Sequence, residues 1–260
     1  MLEARLDVEF TSSGYFVDPS KDDPRTQLLS RKMQLFDPVR LMVADAFKNK
    51  KKRMISEPKL DTCLIMLTKE PSTAANIGLV RLTADVFFDL EELLNLPNDE
   101  NISGPYVVEK FRSALPLFEE TQLVDTETIK QAADAFEADG YRYRWIMKNS
   151  KLGKRDFRVK LEVTECPGHD SVWAEVTSER LGIFERFEVF HQEKFKGRPR
   201  GMFPEWTGEY TRHGGMYNTR HVSLTSEGLN FGSDDAFCFK ATFNRSQLST
   251  ELCDTLGIAE

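Results

Sequence analysis

The sequence predicts an α+β fold: a helix-rich N-terminal part, then a largely antiparallel β-sheet with a C-terminal helix. Apolar residues recur at helical spacing mainly before residue 140, and after it they alternate with polar residues in the period of half-buried strands. A final helical pattern covers about 247–256. Helices and strands that are segregated along a chain are typical of α+β proteins. We therefore divide the chain into 1–140, which is helix-rich and acidic, and 141–260, which is β-rich, and the two parts can form one continuous domain.

The N-terminal part contains the most regular helical patterns. Period-2 alternation at 6–10 and an apolar run at 63–67 predict its strands, and a turn-rich stretch follows the first of them. Helical spacing predicts helices over 38–48, 89–96, 103–115 and 126–139. The last of these helices has the strongest end signals, because Asp125 can cap its first turn and Gly140 can close its last.

The C-terminal part changes to the period of strands. Strands are predicted over 141–147, 157–163, 172–176, 184–190, 221–224 and 237–243. The first two should form a hairpin around the polar turn 148–156. Its buried face is expected to carry Tyr143, Trp145, Val159 and Leu161.

Charge is spread unevenly along a chain whose formal net charge is −7. Residues 85–139 contain 14 Asp and Glu against 3 Lys and Arg, whereas residues 142–160 contain 8 Lys and Arg against Asp156 alone. The overall negative charge argues against general attraction to polyanions, so a nucleic-acid role would need a local basic patch. The asymmetry predicts at least one charged binding surface.

The hairpin is the first candidate for that surface. A register that pairs Arg144 with Arg158 also pairs Arg142 with Lys160, which places four cations on one face. Like charges that face each other destabilise a hairpin, so a neutralising partner is expected. That partner is either an external polyanion or acidic molecule, or the acidic segment 85–139 of the same chain. A plain solvated sheet face is the remaining alternative.

The candidate binding residues come from this hairpin and from a later loop that is rich in Gly, Pro, Arg and aromatic residues. No set of residues has the spacing of a metal site, and no cofactor motif occurs. The predicted binding residues are Arg142, Arg144, Lys148, Lys151, Lys154, Arg155, Arg158, Lys160, Arg198, Arg200 and Trp206.

Catalytic motifs of hydrolases, kinases and metalloproteases are absent from the sequence. The remaining candidates for acid–base chemistry are two Arg-His pairs, Arg212 with His213 and Arg220 with His221. They flank a glycine-containing turn, but histidines beside basic surface residues are also common without any catalytic role.

The cysteines and the N-terminus favour a cytoplasmic protein. The four cysteines are widely scattered in a chain that is long enough to bury its own core, so we expect no disulfide. The N-terminal residues lack the apolar segment of a secretory signal, and no apolar run is long enough for a membrane span.

Three functions remain open. The first is a non-enzymatic binding protein or assembly subunit that docks a polyanion or an acidic partner through the hairpin 142–160 and the arginine-rich loop 194–220. The second is an acidic inhibitor or immunity-type protein whose segment 85–139 blocks a basic toxin or nuclease. The third is a hydrolase or nuclease that uses the Arg-His pairs. The expected partner is another macromolecule, protein or nucleic acid, and not a membrane.

Overall fold

A computed structural model describes residues 7–12, 24–49, 62–79, 81–152, 156–193, 222–232 and 240–259. The strands are β1 Asp7–Ser12, β2 Thr62–Thr68, β3 Asn76–Ile77, β4 Arg81–Phe87, β5 Tyr143–Lys151, β6 Arg158–Glu165, β7 His169–Ser178, β8 Ile183–Glu193, β9 Val222–Leu224, β10 Leu229–Gly232 and β11 Lys240–Phe243. The helices are α1 Pro24–Met33, α2 Asp37–Asn49, α3 Leu90–Asn95, α4 Glu100–Thr121, α5 Thr126–Ala138 and α6 Thr250–Leu256. A 3₁₀ turn, Gln34–Phe36, joins α1 to α2.

The α+β fold class is confirmed. The N-terminal region contains most of the helices, a four-stranded antiparallel sheet follows, and a helix lies near the C-terminus. The chain divides into two compact units. The described residues of the first unit fall within Met1–Tyr143, Glu165–His169 and Glu193–Arg200, and those of the second within Arg144–Thr164, Asp170–Gln192 and Gly201–Glu260.

The first unit contains a sheet of mostly parallel strands that the sequence analysis did not predict. Its strand order is β1-β2-β4-β3, in which β1, β2 and β4 are parallel and the short β3 is antiparallel to β4. One face of β2 and β4 is fully buried, with Cys63, Ile65, Leu82 and Ala84 inaccessible to solvent. Burial raises the pKa of the Cys63 thiol to about 12, as expected of a small core residue.

Helices α2 to α5 follow the predicted patterns, whereas α1 was not predicted, because its ten residues contain only three large apolar side chains, Leu28, Leu29 and Met33. Asp125 accepts a hydrogen bond from the Thr128 backbone N–H at 3.1 Å and caps α5, and Gly140 beyond its end has φ of +67°. The prediction for α4 was too short, because the helix continues through Pro116 to Thr121. Pro116 is exposed, and the burial of Phe118 beyond it favours the longer helix over the usual cost of an internal proline.

The second unit is built on the sheet β5-β6-β7-β8. Alternate residues of β6 and β7, including Val159, Leu161, Val172 and Ala174, are fully buried in its core. A smaller antiparallel sheet, β11-β10-β9, contributes Phe231 to the same core. Helix α6 adds further core residues, and its first turn is capped by Ser249, whose hydroxyl accepts from the backbone N–H of Leu252 at 3.1 Å.

Candidate binding surface on the antiparallel sheet

The two faces of β6 have opposite chemistry. Val159, Leu161 and Val163 are fully buried, whereas Arg158, Lys160 and Glu162 occupy the alternate positions. In β5, Tyr143 is 4% exposed, Trp145 packs against the core and Arg144 is exposed. The predicted buried face of the hairpin is therefore confirmed, and the side chains of Arg144, Arg158 and Lys160 lie on the face that points away from the core.

The register of the hairpin differs from the one that placed four cations together. Strand β5 extends to Lys151, and the Leu152 N–H donates to the Phe157 carbonyl at 2.9 Å, so the turn is shorter than 148–156. If strand pairing continues from this hydrogen bond, Lys151 lies beside Arg158, and Arg144 lies near the C-terminal end of β6. The predicted pairing of Arg144 with Arg158 is wrong, because extra strand residues near the tip shift the register.

Arg142 precedes β5 and has an acidic partner in its own unit. Its Nη2 lies 3.1 Å from Oε1 of Glu100, a residue of the acidic segment 85–139. Hydrogen bonding to Glu100 raises the pKa of Arg142. Burial alone would raise the pKa of Glu100. Three interactions together outweigh burial and lower this pKa: the hydrogen bond from its own backbone N–H, the hydrogen bond from Arg142 and the charge of His169. For Arg142, this contact matches the alternative of internal pairing.

Lys160 belongs to a closed set of four charges on the outer face of the sheet. Its Nζ lies 3.0 Å from both Glu162 and Glu175, and Arg186 contacts the same two carboxylates at 2.9 and 3.6 Å. Hydrogen bonds to Glu175 and then to Glu162 raise the pKa of Lys160. We name Lys160, Glu162, Glu175 and Arg186 the four-charge cluster. Its carboxylates come from the sheet itself and not from the segment 85–139, which was one of the alternatives that the sequence left open.

Trp173 lies beside the four-charge cluster and is partly covered. The guanidinium of Arg186 lies 5.2 Å from the centre of its ring, within cation–π range. Its indole N–H donates to the Ser171 hydroxyl at 3.0 Å. Both the ring face and the polar atom of Trp173 therefore have intramolecular contacts.

The turns at one end of the sheet form a second, more exposed surface. In a meander of antiparallel strands, the β5–β6 and β7–β8 turns lie at the same end, and here the ion pair between Asp156 and Arg180, at 3.7 Å, connects them. Two large apolar side chains are exposed nearby, Leu181 at 41% and Phe184 at 65%. We name this the hairpin-end surface; its described members are Lys151, Asp156, Arg158, Arg180, Leu181 and Phe184.

Several predicted residues lie where the structure makes no statement about their side chains. Lys148 lies within β5, but the description does not extend to its side chain. The residues outside the described ranges are Lys154, Arg155, Arg198, Arg200, Trp206, Arg212, His213, Arg220 and His221.

Within the described ranges, no group of three or more His, Cys, Asp or Glu side chains is arranged to hold a metal ion. The same residues include no helix that is both long enough and apolar enough to cross a membrane. The described cysteines, Cys63, Cys166 and Cys253, are buried, and none of them forms a disulfide.

The sequence analysis missed Arg180, Leu181, Phe184 and Arg186. Strand β8 has apolar residues on both faces, so its alternation is ambiguous: Ile183 and Val189 are buried while Phe184 is exposed. The available signal was the alternation of Phe184, Arg186 and Glu188, which together define the outer face.

Comparison with protein-family models, with curated proteins and with solved structures gives no match to this chain. The chemistry of the hairpin-end surface and of the four-charge cluster is therefore the basis on which a function can be argued.

Proposed function

We propose that the protein is a non-enzymatic binding protein or assembly subunit that docks a negatively charged macromolecule on the hairpin-end surface. The described cations at this end of the sheet are Lys151 and Arg158 of the hairpin, both exposed, and Arg180 of the β7–β8 turn; Lys154 and Arg155 are neighbours of the hairpin residues in the sequence. The arginine-rich segment 194–220 belongs to the same proposal.

The observation that supports this proposal is the difference between the two groups of cations on the sheet. Lys160 and Arg186 are neutralised by carboxylates within 3.6 Å. Lys151 and Arg158 are exposed near the tip, adjacent along the paired strands. Adjacent exposed cations raise the local potential and favour an anionic partner.

A charge-reversal experiment tests the proposal. The double variant Lys151→Glu/Arg158→Glu is compared with Arg81→Glu/Lys130→Glu, which reverses two exposed cations of the first unit. The probes are polyglutamate and an oligothymidylate, measured at about 50 and 200 mM salt. We expect the first variant to lower the affinity for a bound probe at least about 10-fold. The slope of log affinity against log salt concentration should also become shallower, by about one for each anionic group of the probe that is no longer neutralised.

The matched control should bind as the parent protein does. Binding of neither probe by the parent, or an equal loss of affinity in the two double variants, would contradict the proposal.

A second candidate is an acidic inhibitor of a basic protein, and the exposed surface of α4 and α5 favours it. Glu119 and Glu120 of α4 and Glu127 of α5 are exposed, whereas the carboxylates of Glu109, Asp134 and Glu137 are paired with Lys110 or Arg112. Carboxylates of this density attract cationic proteins.

The test of this second candidate uses polylysine as the probe. Glu119→Lys/Glu120→Lys should weaken polylysine binding, whereas Glu227→Lys/Glu251→Lys, which reverses two exposed glutamates of the second unit, should not. If both double variants bind polylysine equally well, the α4–α5 surface is not the docking site.

A further inference from the structure

We infer that the partner of the hairpin-end surface is a protein surface that presents an apolar side chain beside its carboxylates. This inference rests on the proposed function and specifies the chemistry of the molecule that docks. It follows from the apolar residues at this end of the sheet, from the state of Trp173 and from the acidic residues on and around the surface.

The apolar side chains are placed for contact with an apolar partner. Phe184 is 65% exposed although its neighbour Ile183 is only 8% exposed, so β8 turns the larger ring outward. Leu181 lies in the preceding turn and is 41% exposed. Phenylalanine beside arginine is typical of protein interfaces, where aromatic residues and arginine are enriched.

The same surface is poorly suited to nucleic acid. Single-stranded nucleic acids are bound by several rings that stack successive bases, whereas the described members of this surface include one exposed ring, Phe184, and Arg186 covers one face of the nearby Trp173 at 5.2 Å. Glu162 and Glu175 are paired with Lys160 and Arg186, so the four-charge cluster adds no net positive charge to attract phosphates. A protein carboxylate needs only one or two cations, which Lys151 and Arg158 supply.

An anionic membrane is also disfavoured. Asp156 lies between β5 and β6 and is paired with Arg180 at 3.7 Å, and Glu179 is exposed between β7 and β8. Among the described residues of these turns, the Asp156–Arg180 pair adds no net charge, and the exposed carboxylate of Glu179 would be repelled by the negative surface potential of anionic lipids. A folded partner can place its own carboxylates away from Glu179.

The experiment compares four probes on the purified full chain. They are polyglutamate, a random copolymer of glutamate and tyrosine, an oligothymidylate, and vesicles that contain phosphatidylserine. We expect the copolymer to bind about 10-fold tighter than polyglutamate, because tyrosine adds an apolar contact.

Phe184→Ser should remove that 10-fold advantage and leave polyglutamate binding unchanged. The matched control is Phe87→Ser, which removes a ring of 52% exposure from the first unit and should alter neither affinity. Both rings are exposed, and a far-ultraviolet circular dichroism spectrum equal to that of the parent confirms that each variant folds.

The outcomes separate this inference from the proposed function. Two outcomes overturn the apolar protein partner but retain the docking surface. One is equal affinity for the copolymer and for polyglutamate. The other is tighter binding of the oligothymidylate or the vesicles, provided that Lys151→Glu/Arg158→Glu abolishes this binding. Binding of all probes that is insensitive to Lys151→Glu/Arg158→Glu overturns both.

Discussion

The two units use charged side chains in different ways. In the first, Arg112 of α4 contacts Asp134 and Glu137 of α5 at 2.7 and 2.5 Å, and all three side chains are more than 40% exposed. In the second, Lys160 is paired within the outer face of one sheet with carboxylates that are only 12–15% exposed. The net charge of a sequence segment therefore does not give the charge that a partner can contact. Carboxylates two residues away, or in the next strand, can neutralise the cations of a basic segment.

The largest expected effects come from the two cores. Phe136 of the first unit and Phe231 of the second are both fully buried, and Phe231 also makes edge contacts with Phe187 and Phe243 at 5.8 and 5.6 Å. Either Phe→Ala substitution should lower the free energy of unfolding by about 3–5 kcal/mol, because it creates a cavity. Urea unfolding measures this loss. If only one of the substitutions destabilises the protein by that amount, the two cores do not contribute alike.

Two glycines at close backbone contacts should give the next largest effects. A Cβ on Gly168 would lie 2.6 Å from the Asn98 carbonyl oxygen, and one on Gly228, where φ is +152°, would lie 2.2 Å from that of Phe243. Replacement by Ala should cost about 2–4 kcal/mol at each position, because backbone must move.

Gly182 is the matched control for these glycines, since it has φ of +67° but open space around its Cβ position. Gly182→Ala should cost only the conformational penalty, about 1 kcal/mol. Thermal melts of the three variants rank them, and a Gly182→Ala variant as unstable as the others would show that the close contacts are not the cause.

Opposite ends of the pH range should affect the two units differently. The pKa of Glu100 is lowered in the folded protein, so its contribution is present above the ordinary glutamate value of about 4.3 and is lost as pH falls through the folded value. The pKa of Lys160 is raised, so its contribution is present below about 10.4 and is lost as pH rises through the folded value.

Two variants test this pH dependence. Glu100→Gln should lower stability by about 1 kcal/mol at neutral pH and flatten the acid limb of the stability profile, whereas Lys160→Gln should flatten the alkaline limb. Chemical unfolding from pH 3 to 11 measures both limbs. The assignment is contradicted if each variant keeps the parent profile.

The smallest expected effect belongs to the exposed ion pairs of the first unit. Arg112→Ala should lower stability by about 0.2–1 kcal/mol, and the loss should shrink at high salt because exposed pairs are screened. Lys160→Gln should lose less of its effect in salt, because its partners Glu162 and Glu175 are largely buried. Equal salt sensitivity in the two variants would remove the distinction between the units.

The sequence predicted the elements with strong local signals and missed those that depend on tertiary contacts. Helix α5 was predicted within one residue at its end, because Asp125 and Gly140 mark its limits. Strand β4 was missed although Leu82, Ala84 and Val86 alternate with Thr83 and Asp85, because this alternation is short and its parallel pairing with β2 is a tertiary contact. Local periodicity therefore identifies an element but not its neighbours in a sheet.

The candidate surface was predicted in part for the same reason. Arg158 and Lys151 were identified from the density of basic residues, but the neutralisation of Lys160 depends on Glu175 in the next strand. The exposure of Phe184 depends on which face of β8 packs against the core. The sequence of one strand alone determines neither which strand it pairs with nor which of its faces packs against the core.

The four-charge cluster also bears on how the sheet chooses its strand alignment during folding. Strands β6 and β7 both have alternating apolar residues, so a slip of two residues would keep every apolar side chain in the core. In one direction that slip would bring Glu162 beside Glu175, where Lys160 now lies, and the like charges would repel. The cluster therefore disfavours an alternative alignment that hydrophobic burial alone would accept.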